Sequence, residues 1–267
     1  MAPAMDPDSI GLLEDGLRKT MLSLSGAELD AALADMGWAD MLSEMSEQSI
    51  PLVFRLLGET GSHASILNDV VMLTASGEAG DTPALPYAGG GWVVWDYDAA
   101  DDSTALGGLP LRRVEEGGHL RLPDARRAVG WWLVGSARAM LTLACRHARD
   151  RVQFGRPIAQ FQAVRHRLAE TLVAIEGAEA TLDLPGSENP DLTALLAKAA
   201  AGKAALTAAK NCQQVLAGIG FTAEHELHVH VKRVLVLDGL LGSSRELSRR
   251  AGAGLRARGS TPRLANL

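Results

Sequence analysis

The stretch of sequence that decides the fold joins two long predicted helices. From residue 151 to residue 162 it reads Arg151-Val152-Gln153-Phe154-Gly155-Arg156-Pro157-Ile158-Ala159-Gln160-Phe161-Gln162. Before it, apolar residues recur at helical spacing from Pro123, which suits a first helical turn, to about Asp150. After it, a second apolar face begins at about Gln160 and stops before Pro185. The segment is therefore predicted to be a tight connection between antiparallel helices.

Two further helices are predicted beyond this connection. Asn189-Pro190-Asp191 has a capping side chain and a proline at the first helical position, so it predicts the start of a third long helix. That helix is expected to end near Gly218, and a shorter one to follow Ala223. Residues 122–267 are therefore predicted to form an antiparallel four-helix bundle.

The first half of the chain has two different patterns. Residues 1–75 repeat apolar side chains at helical spacing, with breaks at Gly26, Gly37 and residues 58–61, which predicts three or four short helices. Residues 76–121 are rich in glycine, aspartate and proline around the short β-type run Trp92-Val93-Val94-Trp95. The prediction is a mainly α protein with N-terminal helices, a reduced β segment and the bundle.

Composition excludes several classes of function. The chain has 267 residues and a net charge of -6, which argues against general nucleic-acid binding because that needs an excess of cationic side chains. Cys145 and Cys212 are too few for a disulfide framework. No basic leader or run of about 18 consecutive apolar residues occurs, so we expect a cytoplasmic protein that does not span a membrane.

The 151–162 segment resembles the R-x-x-F-G-x-x-[IL]-x-x-[FH]-Q motif of acyl-CoA dehydrogenases. A second segment, from 214 to 224, is similar to that family's Q-x-x-G-G-x-G-[FY]-x-x-E motif: Gln214-Val215-Leu216-Ala217-Gly218-Ile219-Gly220-Phe221-Thr222-Ala223-Glu224. Residues 36–42 resemble its L-G-W-x-x-[ML] segment more loosely. The resemblance implies an acyl-CoA dehydrogenase-like fold whose β domain is about half the usual size.

The resemblance also implies that the chain helps to hold FAD, which in this family lies between subunits. Six residues are implied at the cofactor: Arg151, Gln153, Phe154, Gln162, Gln214 and Gly218. An arginine fork suits a phosphate, while a side-chain amide and a bare glycine backbone allow close approach to a polar cofactor edge. Without the flanking motif, Arg151 would be interpreted as a solvated cation at a helix end. Gly218 and Gly220 would likewise be interpreted as a helix stop.

The catalytic glutamate that the resemblance would require is missing from this sequence. Of the two positions at which the family places this base, one is occupied by Leu241 and the other by Ala125, and neither side chain accepts a proton. Asp124 and Asp238 lie at other angles around their helices and are not obvious substitutes. No catalytic residue is therefore predicted in this chain.

These departures resemble the degenerate subunit of the α2β2 acyl-CoA dehydrogenases known from actinobacterial steroid breakdown. The resemblance implies a second, catalytically complete subunit that shares the FAD and holds most of the acyl-CoA. The alternative is a cofactor-free helical scaffold subunit, and an autonomous dehydrogenase with an unusual base is a third option.

Other features of the sequence have simpler interpretations. The histidines between His225 and His230 could suggest a metal, but their spacing is not that of H-E-x-x-H, so no metal site is predicted. Trp131-Trp132 is more typical of a core or a subunit contact than of a ligand pocket. The arginine-rich tail from Arg245 to Arg263 is predicted to be a solvated, partly mobile end.

Overall fold

The computed structural model describes residues 7–75, 82–98, 106–184 and 189–262. The first of these ranges is helical, as predicted. Its helices are α1 (Pro7–Ser23), α2 (Ala27–Asp35), α3 (Trp38–Thr60) and α4 (Leu67–Ala75). Gly26, Gly37 and Gly61 have positive φ values at the helix boundaries, a conformation that favours glycine.

Gly58 does not break a helix, contrary to the prediction from its position beside Gly61. It lies inside α3, where a Cβ atom would be 2.3 Å from the carbonyl oxygen of Trp132. On the facing helix, a Cβ at Gly135 would be 2.0 Å from the carbonyl oxygen of Arg55. The two glycines therefore let the helix backbones touch, a packing role that spacing along the sequence does not reveal.

The predicted β segment contains a small antiparallel sheet. Its strands are β1 (Leu85–Tyr87), β2 (Gly91–Trp95) and β3 (Leu111–Val114), and β2 lies in the middle. Leu85 pairs with Val93, and Trp95 pairs with Leu111. The Trp95 ring lies 6.3 Å from that of Trp132, so the buried face of the sheet packs on the bundle. A 3-10 turn at residues 88–90 leads into β2.

The predicted bundle helices form where the sequence indicated. They are α5 (Pro123–Asp150), α6 (Gln162–Leu182), α7 (Pro190–Leu216) and α8 (Leu227–Gly239). The side chain of Asn189 caps α7 by accepting a 3.1 Å hydrogen bond from the backbone N–H of Leu192. The predicted stop at Pro185-Gly186-Ser187 lies outside the described residues.

The C-terminal tail is a helix rather than a solvated end. Helix α9 (Ser244–Arg258) begins at a capping box, in which the Ser243 hydroxyl and the Glu246 carboxylate each accept a backbone N–H of the other residue. Leu247 and Ala251 are buried against Leu192 and Leu195 of α7. The prediction of a mobile tail is therefore wrong for residues 245–258, while Arg263 lies outside the described residues.

One apolar core runs from the N-terminal helices through the sheet into the bundle. The mainly α fold is confirmed, whereas the division of the chain at residues 75 and 121 stays a prediction.

By length and composition, Pro123–Asp150 and Pro190–Phe221 could each cross a membrane, but 78% and 67% of their most apolar windows are buried inside the protein. The expectation that the chain does not span a membrane stays a prediction.

Candidate functional site

Both sequence motifs lie at the same end of the bundle. The end of α5 reaches the start of α8 through a 2.6 Å ion pair between Arg146 and Glu226. The start of α6 reaches the end of α7 through a 3.3 Å hydrogen bond from Arg167 to the Asn211 side chain. The connections that carry the two motifs therefore emerge side by side, although no direct contact joins their predicted site residues.

The first motif forms a short hairpin that projects from this end of the bundle. Strands β4 (Val152–Gln153) and β5 (Arg156–Pro157) pair across a turn at Phe154 and Gly155, both with positive φ. The Phe154 side chain is 93% exposed, and its ring lies edge-on to that of Phe161, with 6.1 Å between centroids. An aromatic ring held outside the core in this way is available to another molecule.

The polar residues of the two motifs also face outward. The exposed side chains of Arg151, Gln162 and Gln214 have no hydrogen bond or ion pair among the described residues, and Gln153 makes only a local one to the Val152 carbonyl. Gly218 has open space beside its backbone, because an added Cβ would meet nothing within 4 Å. Donors and a bare backbone are therefore available for a flavin nucleotide, so these residues fit the implied cofactor.

In the described part of the chain, three non-glycine residues have a positive φ, and they lie in the two sequence motifs or at a predicted base position. They are Phe154, Ala217 and Leu241, with φ values of 54°, 52° and 59°. Ala217 stands where the resembling motif has a glycine, and its φ of 52° with ψ of -133° is a combination that glycine adopts far more easily. Such backbone strain persists only where neighbouring structure enforces it, and it often marks a functional site.

The predicted base position lies at the other end of the bundle. Leu241 is 1% exposed and lies on the wall of a cavity of about 750 Å³, which is bounded by β1, β2 and the starts of α5, α7 and α9. Ala125, at the second base position, is also 1% exposed. Hydrocarbon therefore occupies both positions.

The backbone around Leu241 is held from three sides. Its N–H donates to the Pro86 carbonyl at 2.7 Å, and its own carbonyl accepts from Nε of Arg126 at 3.3 Å. The Lys198 ammonium donates to the next carbonyl, that of Gly242, at 2.5 Å and to the Asp238 carbonyl at 2.6 Å. These four hydrogen bonds hold the loop through its main-chain atoms.

Two buried cations lie beside this loop. Burial lowers the pKa of Lys198 to about 7, an effect that Asp238 opposes and Arg126 reinforces. Burial and the nearby Arg250 lower the pKa of Arg126 to about 10. Sequence reasoning missed the role of Lys198, for which the only signal is a lysine on the otherwise apolar stripe of α7.

The two aspartates near the base positions do not replace the glutamate. Asp238 points to α9, where its Oδ1 accepts the backbone N–H of Ser244 at 3.1 Å. Asp124 lines a different surface pocket, beside Arg127 and Leu182. Neither carboxylate borders the cavity beside Leu241.

The histidines of the 225–230 segment make local contacts. The ring of His225 accepts the backbone N–H of Leu227 at 3.1 Å, and the ring of His228 contacts the His225 carbonyl at 2.8 Å. Burial lowers the pKa of His230 to about 4. Within the described ranges, no three histidine, cysteine or acidic side chains come together as metal ligands.

The motif end and the cavity are separated by the length of α7. Asp191 and Leu195 line the cavity at the start of this helix, while Gln214 lies near its end. At 1.5 Å per residue, the 191–214 stretch spans about 35 Å. The outward-facing donors therefore cannot serve a ligand in this chain's own cavity.

Comparison with known proteins shows the family. Residues 120–253, half of the chain, match the family described as acyl-CoA dehydrogenase, C-terminal domain. The chain belongs to the acyl-CoA dehydrogenase family. This match contains both motifs, the two base positions and most of α9.

Curated acyl-CoA dehydrogenases from Mycobacterium tuberculosis match over part of their length. IpdE2 is 40% identical over 117 residues, which are 44% of this chain and 37% of IpdE2. FadE34 is 39% identical over 127 residues, which are 45% of this chain and 18% of FadE34. This acyl-CoA dehydrogenase homologue therefore matches well under half of the length of these relatives.

Solved structures confirm the acyl-CoA dehydrogenase-like fold over nearly the whole chain. A chain of the ChsE4-ChsE5 complex from Mycobacterium tuberculosis superposes with a TM-score of 0.72 at 18% identity, covering 98% of this chain and 100% of that one. A chain of the steroid acyl-CoA dehydrogenase Tcur3481-Tcur3483 gives 0.67 at 17% identity, covering 94% and 98%. At these identities the likeness shows the fold alone.

Proposed function

We propose that this chain is the non-catalytic subunit of a flavin-dependent acyl-CoA dehydrogenase built from two unlike subunits. Family membership supports the reaction class, which is the α,β-desaturation of an acyl-CoA thioester. The two structural neighbours named above come from assemblies whose names join two proteins, which supports a partner of the same family. The acyl group is proposed to be steroid-derived by analogy with Tcur3481-Tcur3483, which is described as a steroid acyl-CoA dehydrogenase.

The proposal rests on the separation of the outward-facing cofactor donors from this chain's own cavity, and on the hydrocarbon side chains at both base positions. Arg151 and Gln214 face outward at one end of the bundle, whereas Leu241 lies at the other end. The donors are therefore placed for a cofactor held by a neighbouring subunit. The buried leucine supports assigning proton removal to the partner's carboxylate.

In the proposed assembly, Arg151 binds the pyrophosphate of FAD and Gln214 approaches another polar edge of the cofactor. Phe154 packs on the cofactor or on the subunit that holds it, since its ring is already free of the core. Bound FAD would supply the acceptor for a hydride from the β-carbon, and a carboxylate of the partner subunit would be the base for the α-proton. This chain's contribution is thus binding and orientation.

The experiment is to purify the chain alone and together with a catalytically complete acyl-CoA dehydrogenase encoded by a neighbouring gene. Flavin absorbance per protein and acyl-CoA turnover are recorded for each sample. We expect flavin and turnover in the complex only. Replacing Arg151 by alanine is expected to reduce flavin retention at least tenfold, because a charge-assisted bond to phosphate is worth about 1.5–3 kcal/mol.

Arg256→Ala provides the matched control, since it removes an exposed arginine from α9, away from the motif end. It is expected to leave flavin retention unchanged. Full activity of the isolated chain would refute the proposal in favour of an autonomous dehydrogenase. A stable complex without flavin would favour the alternative, a cofactor-free scaffold subunit.

A further inference from the structure

We propose that the cavity beside Leu241 binds an apolar molecule that carries a carboxylate, and that Arg126 receives the carboxylate. This site belongs to the chain itself and does not depend on the flavin or on the partner subunit. It lies about 35 Å along α7 from the motif residues of the proposed function. Arg126 is a buried cation that forms no ion pair in the described chain.

Arg126 is 6% exposed and lines the cavity. Its only hydrogen bond runs from Nε to the Leu241 carbonyl at 3.3 Å, and it forms no ion pair within the described chain. The remaining N–H donors of its guanidinium fork have no partner there. Since burying an unpaired charge is costly, this arrangement favours an anion brought by a ligand.

The two carboxylates that border the cavity, Asp191 and Glu246, form no hydrogen bond or ion pair with Arg126. Glu246 is engaged by the backbone N–H groups of Ser243 and Gly89, both at 2.9 Å. Burial and Arg250, on the rim, lower the pKa of Arg126 to about 10, whereas the charge of Asp191, exposed on the same rim, raises it without forming an ion pair in the described chain. The fully buried Lys198 lies behind the wall and makes the surroundings more positive still.

The rest of the cavity fits a hydrophobic body. Leu122, Leu195, Leu241, Leu247 and Trp92 line it. Its volume of about 750 Å³ is within the range of small-molecule sites, which orient a ligand by a few polar groups among apolar walls. Of the arginines that line it, Arg126 is the buried one, while Arg121 and Arg250 are exposed. A planar arginine fork matches a carboxylate with two parallel hydrogen bonds, so the charged end of the ligand is expected at Arg126.

The test uses cyclohexanecarboxylate as the probe and cyclohexanecarboxamide as its uncharged counterpart of similar shape. Binding of each to the purified chain is measured by isothermal titration calorimetry. We expect the carboxylate to bind at least tenfold more tightly than the amide. Arg126→Gln is expected to weaken carboxylate binding ten- to hundredfold, which corresponds to losing a charge-assisted hydrogen bond.

Arg127→Gln is the matched control, because the adjacent arginine of α5 donates to the Leu182 carbonyl and does not line this cavity. It is expected to bind the probe as the unmodified chain does. Leu241→Glu is a second variant that keeps Arg126 and adds a competing carboxylate to the same cavity wall, so it too should weaken binding at least tenfold.

Equal binding of the acid and the amide would overturn the proposal, as would no binding of the carboxylate to the unmodified chain. Unchanged affinity in a folded Arg126→Gln protein would also overturn it. If that variant does not fold, Leu241→Glu decides, and undiminished binding there refutes the site. Since no flavin or partner enters these measurements, they are independent of whether the proposed function holds.

Discussion

Lys198 allows a prediction of how stability depends on pH. The side chain is fully buried, and its pKa is lowered to about 7 from an ordinary value of 10.5. Between these values the unfolded chain keeps the proton that the folded chain has released. The free energy of unfolding therefore rises with pH across this window, whereas below pH 7 both states are protonated and the contribution is flat.

The size of this effect follows from the two pKa values. Across the whole window the contribution amounts to roughly 5 kcal/mol, and between pH 7 and pH 9 it is about 2 kcal/mol. Lys198→Met removes the titrating group. The stability difference between the unmodified protein and this variant should thus shift by about 2 kcal/mol in favour of the lysine as the pH rises from 7 to 9.

The assay is urea-induced unfolding of both proteins at pH 7, 8 and 9. Other titrating groups cancel in the difference between the two proteins. Lys203→Met, which replaces an exposed lysine of the same helix, is the control and should show no such trend. If the difference in the free energy of unfolding between the unmodified protein and Lys198→Met stays constant within about 0.5 kcal/mol from pH 7 to pH 9, the reasoning is refuted.

Two pairs of substitutions test backbone geometry by the same urea assay. Gly135→Ala should lower the free energy of unfolding by about 1–3 kcal/mol, because the new Cβ meets the Arg55 carbonyl. Gly177→Ala, at an open helical position, should raise the free energy of unfolding by up to about 1 kcal/mol. Equal effects of the two would contradict the close helix approach. Ala217→Gly should raise the free energy of unfolding by about 1–2 kcal/mol by relieving backbone strain. Ala253→Gly, at an exposed position of α9, should lower it by about 1 kcal/mol. A loss of stability in Ala217→Gly would show that this backbone is not strained.

Much of the fold could be predicted because its signals are local. Pro123 and Asn189 mark helix starts through their own backbone and capping chemistry, and both predictions are confirmed. Helix α9 had a local signal as well, since Ser243 and Glu246 have the spacing of a capping box, but the many arginines of that segment were interpreted as a solvated tail. A charged face and a buried face coexist on one amphipathic helix.

The parts that could not be predicted depend on contacts between distant segments. Gly58 looks like a helix break in the sequence, and only the α5 backbone pressed against it reveals its packing role. Lys198 contacts carbonyls some forty positions further along the chain. The outward orientation of Arg151 agrees with the role implied by the motif, but its assignment to FAD stays a prediction.

The strained backbone at Leu241 carries a side chain that cannot accept a proton. The φ of 59° at Leu241 lies in the left-handed region, where an L-residue such as leucine has a conformational energy about 1–2 kcal/mol higher. Leu241 adopts this conformation because Pro86, Arg126 and Lys198 hold the backbone on either side of its side chain. Since those contacts involve only main-chain atoms of the loop, they would hold a glutamate in the same backbone conformation. The scaffold at this position is therefore independent of whether residue 241 is a base, and beside it lies Arg126, a buried arginine that forms no ion pair in the described chain.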